Sequence, residues 1–410
     1  MRIKVTALGL AGALALAACG SSAEPQDGPV SLRMTIWTGN EAHLKLFNDI
    51  AAEYRKTHPN ISVKYDTLPV ETYTTTLTTQ MAGGNAPDLA WIFENAAPDF
   101  VSSGALAPLG NLVKPEELVP STTKLWQKDG TLYAYPFSTS PFGVFVNTDL
   151  LKQAGQSVPA KGWTWDEAVK IASAVQKKTG KAGLVVRDFD YKGWDNLASV
   201  WGGWGAEAWS EDGGTCGFGK PEMVEAMRFL HKAIFTDKAM PAPGTTADFF
   251  AGEAGMTITQ ISRASLLKDG AFAWDLVTLP TGPKGEYSVI GQAGIGVIKK
   301  SRNAQAAADF LSFFTNPDNS AKLAQFFPPP RQPLLTADSL AKSNPLLKPE
   351  QLQKVVVDGI AAGRVKPSHV GQAEIGQAVR ARLDQLWLPD ADPAAVMNDV
   401  CAAVQPMLAP

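Results

Sequence analysis

The chain has 410 residues, with 37 basic and 40 acidic side chains and a formal net charge of −3. No excess of positive charge is available to neutralise a phosphate backbone, so the composition argues against a nucleic-acid partner. Hydrophobic residues make up 45% and charged residues 19%, which excludes the disordered, collagenous and coiled-coil classes. Because single cores stop growing at about 250 to 300 residues, the length favours two lobes.

The N-terminus has the layout of a secretory signal. Arg2 and Lys4 precede an apolar run that ends at Ala18, directly before Cys19. The small residues before this cysteine look like a bacterial lipobox, in which segment 1–18 is removed and the Cys19 thiol is acylated. A short transmembrane helix is the alternative, but about 14 apolar residues fall short of the ~20 that span a bilayer. The sequence therefore predicts a lipid anchor, followed by residues 19–29 as a flexible tether.

With Cys19 assigned to the lipid, two cysteines remain in an exported chain, Cys216 and Cys401. Disulfides persist outside the cytosol, so we expect these two residues to be bonded to each other. Two separate buried thiols are the alternative, because the sequence does not give the distance between the two Cα atoms.

The chain after the tether alternates strands and helices. Val30–Trp37 reads as a buried strand, helical spacing follows from Leu44 to Tyr54, and Ile61–Tyr65 alternates as a second strand. A strand, a helix and a strand within this length indicate a parallel sheet with a right-handed crossover. A further helix over Thr72–Met81 and a strand over Asp88–Ile92 extend the pattern. The predicted fold class is α/β, with a doubly wound first lobe.

Open α/β sheets bind ligands beyond the carboxyl ends of their strands. Trp37, Asn40 and Glu41 follow the first predicted strand, and Glu94 and Asn95 follow the strand that ends at Ile92-Phe93. We therefore predict these five residues as ligand-binding candidates. For Asn40 and Glu41 the alternative is a role at the N-terminus of the first helix, where an acidic side chain is favourable.

The order of the motifs resembles one known family. It is similar to the family-1 extracellular solute-binding lipoproteins of carbohydrate ABC importers, which are related to maltose-binding protein, over about residues 30 to 335 and loosely beyond. The chain departs from the family at Val146, where a Tyr usually precedes the Asn. The motifs that carry the resemblance are Ile36–Gly39, His58–Val63, Gly84–Leu89, Gly104–Leu109, Asp129–Tyr133, Tyr135–Phe137, Val146–Leu150, Trp163–Glu167 and Leu279–Pro283.

The resemblance implies a periplasmic-binding-protein fold, in which two doubly wound α/β lobes close on a ligand by a hinge motion. The implied N-terminal lobe comprises residues 30–139 and 292–335, and the C-terminal lobe residues 140–291 and 336–410. It also implies a saccharide ligand, delivery to the permease subunits of an ABC importer, no cofactor and no catalysis. We expect a monomer anchored by its lipid to the outer face of the bacterial cytoplasmic membrane.

Sugars present flat apolar faces edged by hydroxyls, so their sites combine aromatic rings with polar side chains. Four of the 11 Trp fall within residues 194–209, a stretch interrupted by glycines that reads as a loop. We predict Trp194, Trp201 and Trp204 as stacking residues, with packing under the second lobe's sheet as the alternative. Several aromatic platforms favour a di- or oligosaccharide over a monosaccharide.

Four more candidates lie downstream. Gln260 is the last residue of a predicted strand over Met256–Gln260, and Gln292 lies among glycines that permit close approach of a ligand. Arg331 follows three prolines and carries a bidentate fork, for which a salt bridge is the alternative. His369 lies where the resemblance places a late loop of the cleft.

Other function classes remain open. A secreted carbohydrate-active enzyme would use paired carboxylates, but no spacing nominates a pair. The four His show no His-Glu-x-x-His motif and no Cys-x-x-Cys is present, so we predict no metal site. A receptor of the same fold for a glycerophosphodiester would need a basic cleft, to which Arg263, Arg331 and Lys192 could contribute. A lipoprotein that only docks onto partners is a further alternative.

Overall fold

The structure is a computed structural model that describes residues 28–186, 193–242, 245, 247–267, 270 and 272–408. The predicted signal segment, Cys19 and most of the predicted tether lie outside these residues. None of the helices in the described part of the chain has both the length and the apolar character needed to cross a membrane.

The strands form one sheet path with the order β2-β1-β3-β10-β6-β8-β7, with β11 beside β10, β9 beside β6, and β4 and β5 as a separate hairpin. Their bounds are β1 (Val30–Ile36), β2 (Ile61–Thr67), β3 (Leu89–Phe93), β4 (Gln127–Lys128), β5 (Thr131–Leu132), β6 (Ala134–Asn147), β7 (Ala182–Val186), β8 (Ala254–Gln260), β9 (Trp274–Val277), β10 (Val289–Val297) and β11 (Arg364–Val365).

Helices cover the sheet and connect its strands, and a π-helical segment over Leu352–Val357 joins two of them. Their bounds are α1 (Glu41–Thr57), α2 (Tyr73–Ala82), α3 (Ala97–Ser102), α4 (Pro120–Thr123), α5 (Thr148–Gln153), α6 (Trp165–Thr179), α7 (Ala198–Trp201), α8 (Pro221–Phe235), α9 (Ala304–Phe314), α10 (Pro317–Leu323), α11 (Ala337–Ser343), α12 (Pro349–Gln351), α13 (Asp358–Ala362), α14 (Gln372–Leu383) and α15 (Pro393–Val404). Two 3₁₀ turns matter below, Glu94–Ala96 and Trp194–Leu197.

The first strand, helix and strand form as the sequence predicts. Strand β1 pairs in parallel with β2 along its whole length and with β3 at Met34 and Thr35. Helix α1 buries Phe47, Ile50 and Tyr54 on one face, and its first turn begins at the Asn40 cap. The parallel pairing places the carboxyl ends of β1 and β3 side by side, which is where a ligand is expected.

Two strands belong to both halves of the sheet. The first part of β6, up to Pro141, pairs with β10, and the second part, from Phe142, pairs with β8 and β9. Strand β10 in turn pairs with β3 along Ala293–Val297 and with β11 at its start. All 14 residues of β6 are buried. Both strands therefore cross from one half of the sheet to the other.

Three hydrophobic clusters divide the molecule around these crossovers. The first draws its buried residues from Leu32–Phe137 and Ala293–Phe327, and we call the part built around it the N-terminal lobe. The second draws on Phe142–Val289 and Ile375–Leu408. The third packs Phe145 and Leu276 against residues between Leu335 and Ile360. The second and third clusters together form the C-terminal lobe, and we expect the hinge where β6 and β10 pass from one core to the other.

A disulfide joins Cys216 to Cys401, residues that are 185 positions apart in the sequence. Their Cα atoms lie 5.7 Å apart, within the range of ordinary disulfides. The bond attaches a short hairpin of the C-terminal lobe to helix α15.

The crossover leaves no room for a side chain at Gly294. A Cβ there would lie 2.6 Å from the ring of Trp126, which is fully buried. We expect Gly294→Ala to lower the free energy of unfolding by about 1–3 kcal/mol, because overpacking a core forces rigid rings to shift. Urea unfolding measures this, with Gly39→Ala as the control, since its Cβ would meet only Thr67 at 3.9 Å. Equal stability of the two variants would contradict the packing described here.

Candidate functional site

The carboxyl ends of β1 and β3 carry an aromatic pair and a buried acid. Trp37 directly follows β1, and its ring stacks on Phe93, the last residue of β3, with centroids 3.9 Å apart. Both rings are half-buried, and Trp37 also meets Tyr73 edge-on at 5.1 Å. Glu94 directly follows Phe93 in the chain and is buried.

The carboxylate of Glu94 meets a cation and a second acid from the C-terminal lobe. Lys366 Nζ lies 2.8 Å from Glu94 Oε1 and 2.8 Å from Asp195 Oδ2. The same ammonium donates to Asn196 Oδ1 at 3.0 Å. Glu94 and Asp195 are 5% and 7% exposed, and the Lys366 side chain is 10% exposed. We call Glu94, Asp195 and Lys366 the ion triad; it links the two lobes directly.

The charge of the ion triad follows from its surroundings. Burial alone would lower the pKa of Lys366, but the Asp195 and Glu94 carboxylates outweigh that effect and hold the pKa above its ordinary value. The ammonium therefore stays charged at neutral pH. Two carboxylates around one ammonium leave the triad with one negative charge in excess and with carboxylate lone pairs that can accept further hydrogen bonds.

A second aromatic surface lies on the C-terminal lobe. Trp209 is half-buried, and its ring lies edge-on to His369 with centroids 5.4 Å apart. It also contacts the ring of Trp194, the residue before Asp195, at 6.3 Å. His369 lies three residues after Lys366. Phe93 directly precedes Glu94 and Trp194 directly precedes Asp195 in the chain, and each of these rings contacts a half-buried tryptophan, Trp37 in the N-terminal lobe and Trp209 in the C-terminal lobe.

Two further contacts bridge the lobes beside the triad. The backbone N–H of Gly371 donates to Asp99 Oδ1 at 2.8 Å, which ties α3 to the start of α14. Lys124 Nζ lies 2.5 Å from Glu211 Oε1, an exposed pair of small energetic weight. The lobes are therefore in contact across the cleft.

Comparison with known proteins identifies the family. The family described as bacterial extracellular solute-binding protein matches residues 39–321. The chain belongs to this family. An ABC substrate-binding protein from Listeria monocytogenes in complex with cycloalternan matches with a TM-score of 0.80 and 22% identity, covering 92% of this chain and 98% of the other. UgpB from Mycobacterium tuberculosis in complex with glycerophosphocholine matches with a TM-score of 0.78 and 20% identity, covering 93% and 98%.

A curated relative adds sequence similarity. The arabinooligosaccharide-binding protein of Halalkalibacterium halodurans is 24% identical over 303 residues, which cover 68% of this chain and 66% of the relative. The fold expected from the sequence is confirmed: this solute-binding protein has the mixed α/β architecture of the periplasmic binding proteins.

The candidates in the N-terminal lobe lie together at the strand ends. Trp37 and Glu94 belong to the surface just described, and Asn95 is exposed beside them. Asn40 caps α1, since its Oδ1 accepts from the N–H groups of Ala42 at 2.9 Å and His43 at 3.3 Å. Glu41 is exposed in the first turn of that helix. The capping alternative for Asn40 is therefore the one that the structure supports.

The predicted tryptophans have different surroundings. Trp194 and Trp201 are 4% and 2% exposed and fill the core of the C-terminal lobe against Phe218. Trp204 is half-buried and packs on Phe229 of α8, with centroids 4.8 Å apart. The geometry places all three in packing positions, as the alternative reading of the sequence allowed. Trp209, which was not among the candidates, is the one of the four that contacts His369.

Three polar candidates lie at the hinge or inside the N-terminal lobe. The Gln260 side chain lies against Gly291, where a Cβ would come within 1.6 Å of its Nε2. Gln292 is buried, accepts from Trp126 Nε1 at 3.2 Å and donates to Thr122 O at 3.3 Å. Arg331 donates to Thr315 O and pairs with Glu117. Because their polar atoms already have protein partners, we omit Gln292 and Arg331 from the site that we propose below.

The residues that sequence reasoning missed are Asp195, Trp209 and Lys366. A single carboxylate or lysine carries no pattern, and only the fold brings these distant positions to Glu94. The one available indication was their proximity to predicted candidates, since Asp195 follows Trp194 and Lys366 lies close to His369. Among the described residues no cluster of three or more His, Cys, Asp or Glu could hold a metal ion.

Removing the cation should destabilise the protein. Lys366→Met leaves two buried carboxylates facing each other, so we expect a loss of about 3–5 kcal/mol in the free energy of unfolding at pH 7.5. In the wild type the raised pKa of Lys366 adds stability that is present below about pH 10.4 and is lost as the pH rises through the folded-state value.

Urea unfolding at pH 7.5 measures this effect. Lys64→Met serves as the matched control, because Lys64 is exposed on β2 and its replacement should change the stability by less than about 0.5 kcal/mol. A loss in Lys366→Met that is as small as the loss in Lys64→Met would show that the cation does not neutralise the two acids.

Proposed function

We propose that this solute-binding protein is the lipid-anchored receptor of an ABC importer and captures a neutral saccharide between its lobes. The boundaries that we propose are residues 30–139 with 292–335 for the N-terminal lobe, and 140–291 with 336–410 for the C-terminal lobe. Ligand binding shifts the protein towards the closed arrangement, which the permease subunits sense. The ligand is a di- or oligosaccharide, since both lobes carry half-buried aromatic rings, Trp37 and Phe93 on one and Trp209 on the other.

The ion triad is the observation that carries this proposal. Its excess negative charge repels a phosphodiester, whereas its carboxylate oxygens accept hydrogen bonds from sugar hydroxyls. The stacked Trp37 and Phe93 and the half-buried Trp209 offer apolar faces to a pyranose or furanose ring. A neutral polyol with apolar faces therefore complements this cleft better than an anion does.

The proposed site combines residues of both lobes. It consists of Trp37, Glu94, Asn95, Asp195, Trp209, Lys366 and His369, with Glu41 at the rim. Gln260 lies at the hinge, where closure brings β8 towards β10.

The relatives support the saccharide over the alternatives. One is described as an arabinooligosaccharide-binding protein and one structure holds cycloalternan, whereas UgpB holds glycerophosphocholine. A phosphodiester receptor needs a cation that is free to pair with phosphate. Arg331 pairs with Glu117, and Lys366 is shared by two acids. The relatives are binding proteins, so we propose binding without chemical conversion.

Cys19 is the proposed lipid attachment site, and the anchor places the receptor on the outer face of the bacterial cytoplasmic membrane. An uncharacterized lipoprotein from Streptomyces antibioticus, 26% identical over 351 residues, supports this arrangement. Metabolic labelling with a fatty-acid analogue tests the anchor: Cys19→Ser should abolish the label.

A thermal-shift and calorimetry screen tests the ligand class. We expect a member of a maltose, arabinose or isomaltose oligosaccharide series to stabilise the protein, by about 2.7 kcal/mol when its concentration is 100 times its Kd. The saccharide should be recovered unchanged by chromatography, and glycerophosphocholine should give no shift. A shift with glycerophosphocholine alone would contradict the proposal, and consumption of the saccharide would indicate an enzyme.

A pair of tryptophan variants tests the location of the site. Trp209→Ala should weaken binding of the saccharide found in the screen by about tenfold, because a stacked ring contributes on the order of 1 kcal/mol. Trp204→Ala is the matched control: its ring packs on Phe229, so the variant should lose stability and keep its affinity. Weaker binding in Trp204→Ala together with unchanged affinity in Trp209→Ala would contradict the proposed location and indicate that the ligand contacts Trp204.

A further inference from the structure

The hairpin that carries Trp209 is built by a dense set of backbone contacts. Residues 208–217 form it, with Trp209 paired to Cys216 in an antiparallel bridge. The Ser210 N–H donates to Thr215 O at 2.8 Å, and the Gly217 N–H donates to Ala208 O at 2.8 Å. We call this segment the stapled hairpin. A two-stranded hairpin of this length is not stable by itself in water, so its position depends on the segments to which it is bonded.

Three bonds attach the stapled hairpin to the end of helix α15. Cys216 is bonded to Cys401 within that helix. Gln405, at the helix end, accepts from the Cys216 N–H and donates to Gly214 O, both at 2.8 Å. Helix α15 is itself fixed, because Met397, Val400 and Val404 are buried in the second cluster. The disulfide therefore connects the hairpin to a helix that is packed into the core of the lobe.

The opposite side of the hairpin faces the proposed site. Trp209 contacts the His369 ring, and His369 Nε2 lies 3.2 Å from Gly213 O. Glu211 near the tip pairs with Lys124 of the N-terminal lobe. One side of the stapled hairpin is thus bonded to helix α15. Its other side contacts His369 of the proposed site and Lys124 of the N-terminal lobe.

We propose that Cys216 and Cys401 are a positioning pair for ligand binding. This inference rests on the proposed function, since it concerns the same cleft. The disulfide keeps Trp209 and the neighbouring His369 ordered before the saccharide arrives, so binding does not have to order them. Without the bond, we expect the dissociation constant for maltotetraose to rise about tenfold, because each immobilised side chain opposes binding entropically.

The test compares wild type with the Cys216→Ser/Cys401→Ser double variant. Hydrogen exchange of the unliganded proteins should be faster in the variant within residues 208–217 and 366–371, and unchanged in β1–β3. Titration calorimetry with maltotetraose gives the affinity. Phe310→Ala is the control: Phe310 is fully buried in α9 of the N-terminal lobe, so this variant loses stability without touching the hairpin. If the disulfide is merely structural, both variants should have a lower melting temperature than wild type, and both should bind maltotetraose with the wild-type affinity.

The outcomes separate this inference from the proposed function. Faster hairpin exchange together with weaker maltotetraose binding in the double variant alone supports both. Unchanged hairpin exchange overturns the positioning role whatever the ligand is, and so does equal weakening by Phe310→Ala. If wild type binds no member of the saccharide series while hairpin exchange rises in the double variant, the proposed ligand is wrong and the disulfide still positions the hairpin.

Discussion

The architecture depends on two strands that are shared between two cores. Strand β6 pairs with β10 in the N-terminal lobe and with β8 and β9 in the C-terminal lobe, and β10 begins beside β11 before it joins β3. Because the chain is continuous through these strands, any movement of one lobe against the other has to bend them. The ion triad also joins the lobes, because one ammonium is shared by a carboxylate from each of them. The site that we propose is built around this triad.

Much of the fold could be predicted from the sequence, because it follows from local patterns. Apolar periodicity located β1, α1 and β2 within a few residues. The passage of β6 between the lobes could not be predicted from periodicity, since β6 is buried along its whole length and shows no alternation. A strand buried on both faces carries no signal for its role as a hinge.

The site was less predictable, because its chemistry is assembled from distant positions. The rule that ligands lie beyond strand ends pointed to Trp37 and Glu94, which follow the neighbouring parallel strands β1 and β3 in the structure. Composition was a poorer guide: a glycine-rich stretch of tryptophans reads as a binding loop, but Trp194 and Trp201 fill the core. Gln292 and Arg331 were predicted as ligand-binding residues from their polar side chains. In the structure these side chains bond to Trp126 and Glu117, which lie far away in sequence. No sequence pattern surrounds Lys366, and the role that we propose for it depends on its two acidic neighbours in the fold, Glu94 and Asp195.

The most direct measurement is a crystal structure of the protein with the tightest-binding member of the saccharide series. The account predicts a saccharide between the lobes, with hydroxyls within hydrogen-bond distance of Glu94 or Asp195 and a sugar ring against Trp37 or Trp209. A saccharide bound outside this cleft, or inside it without contact to the ion triad, would contradict the account.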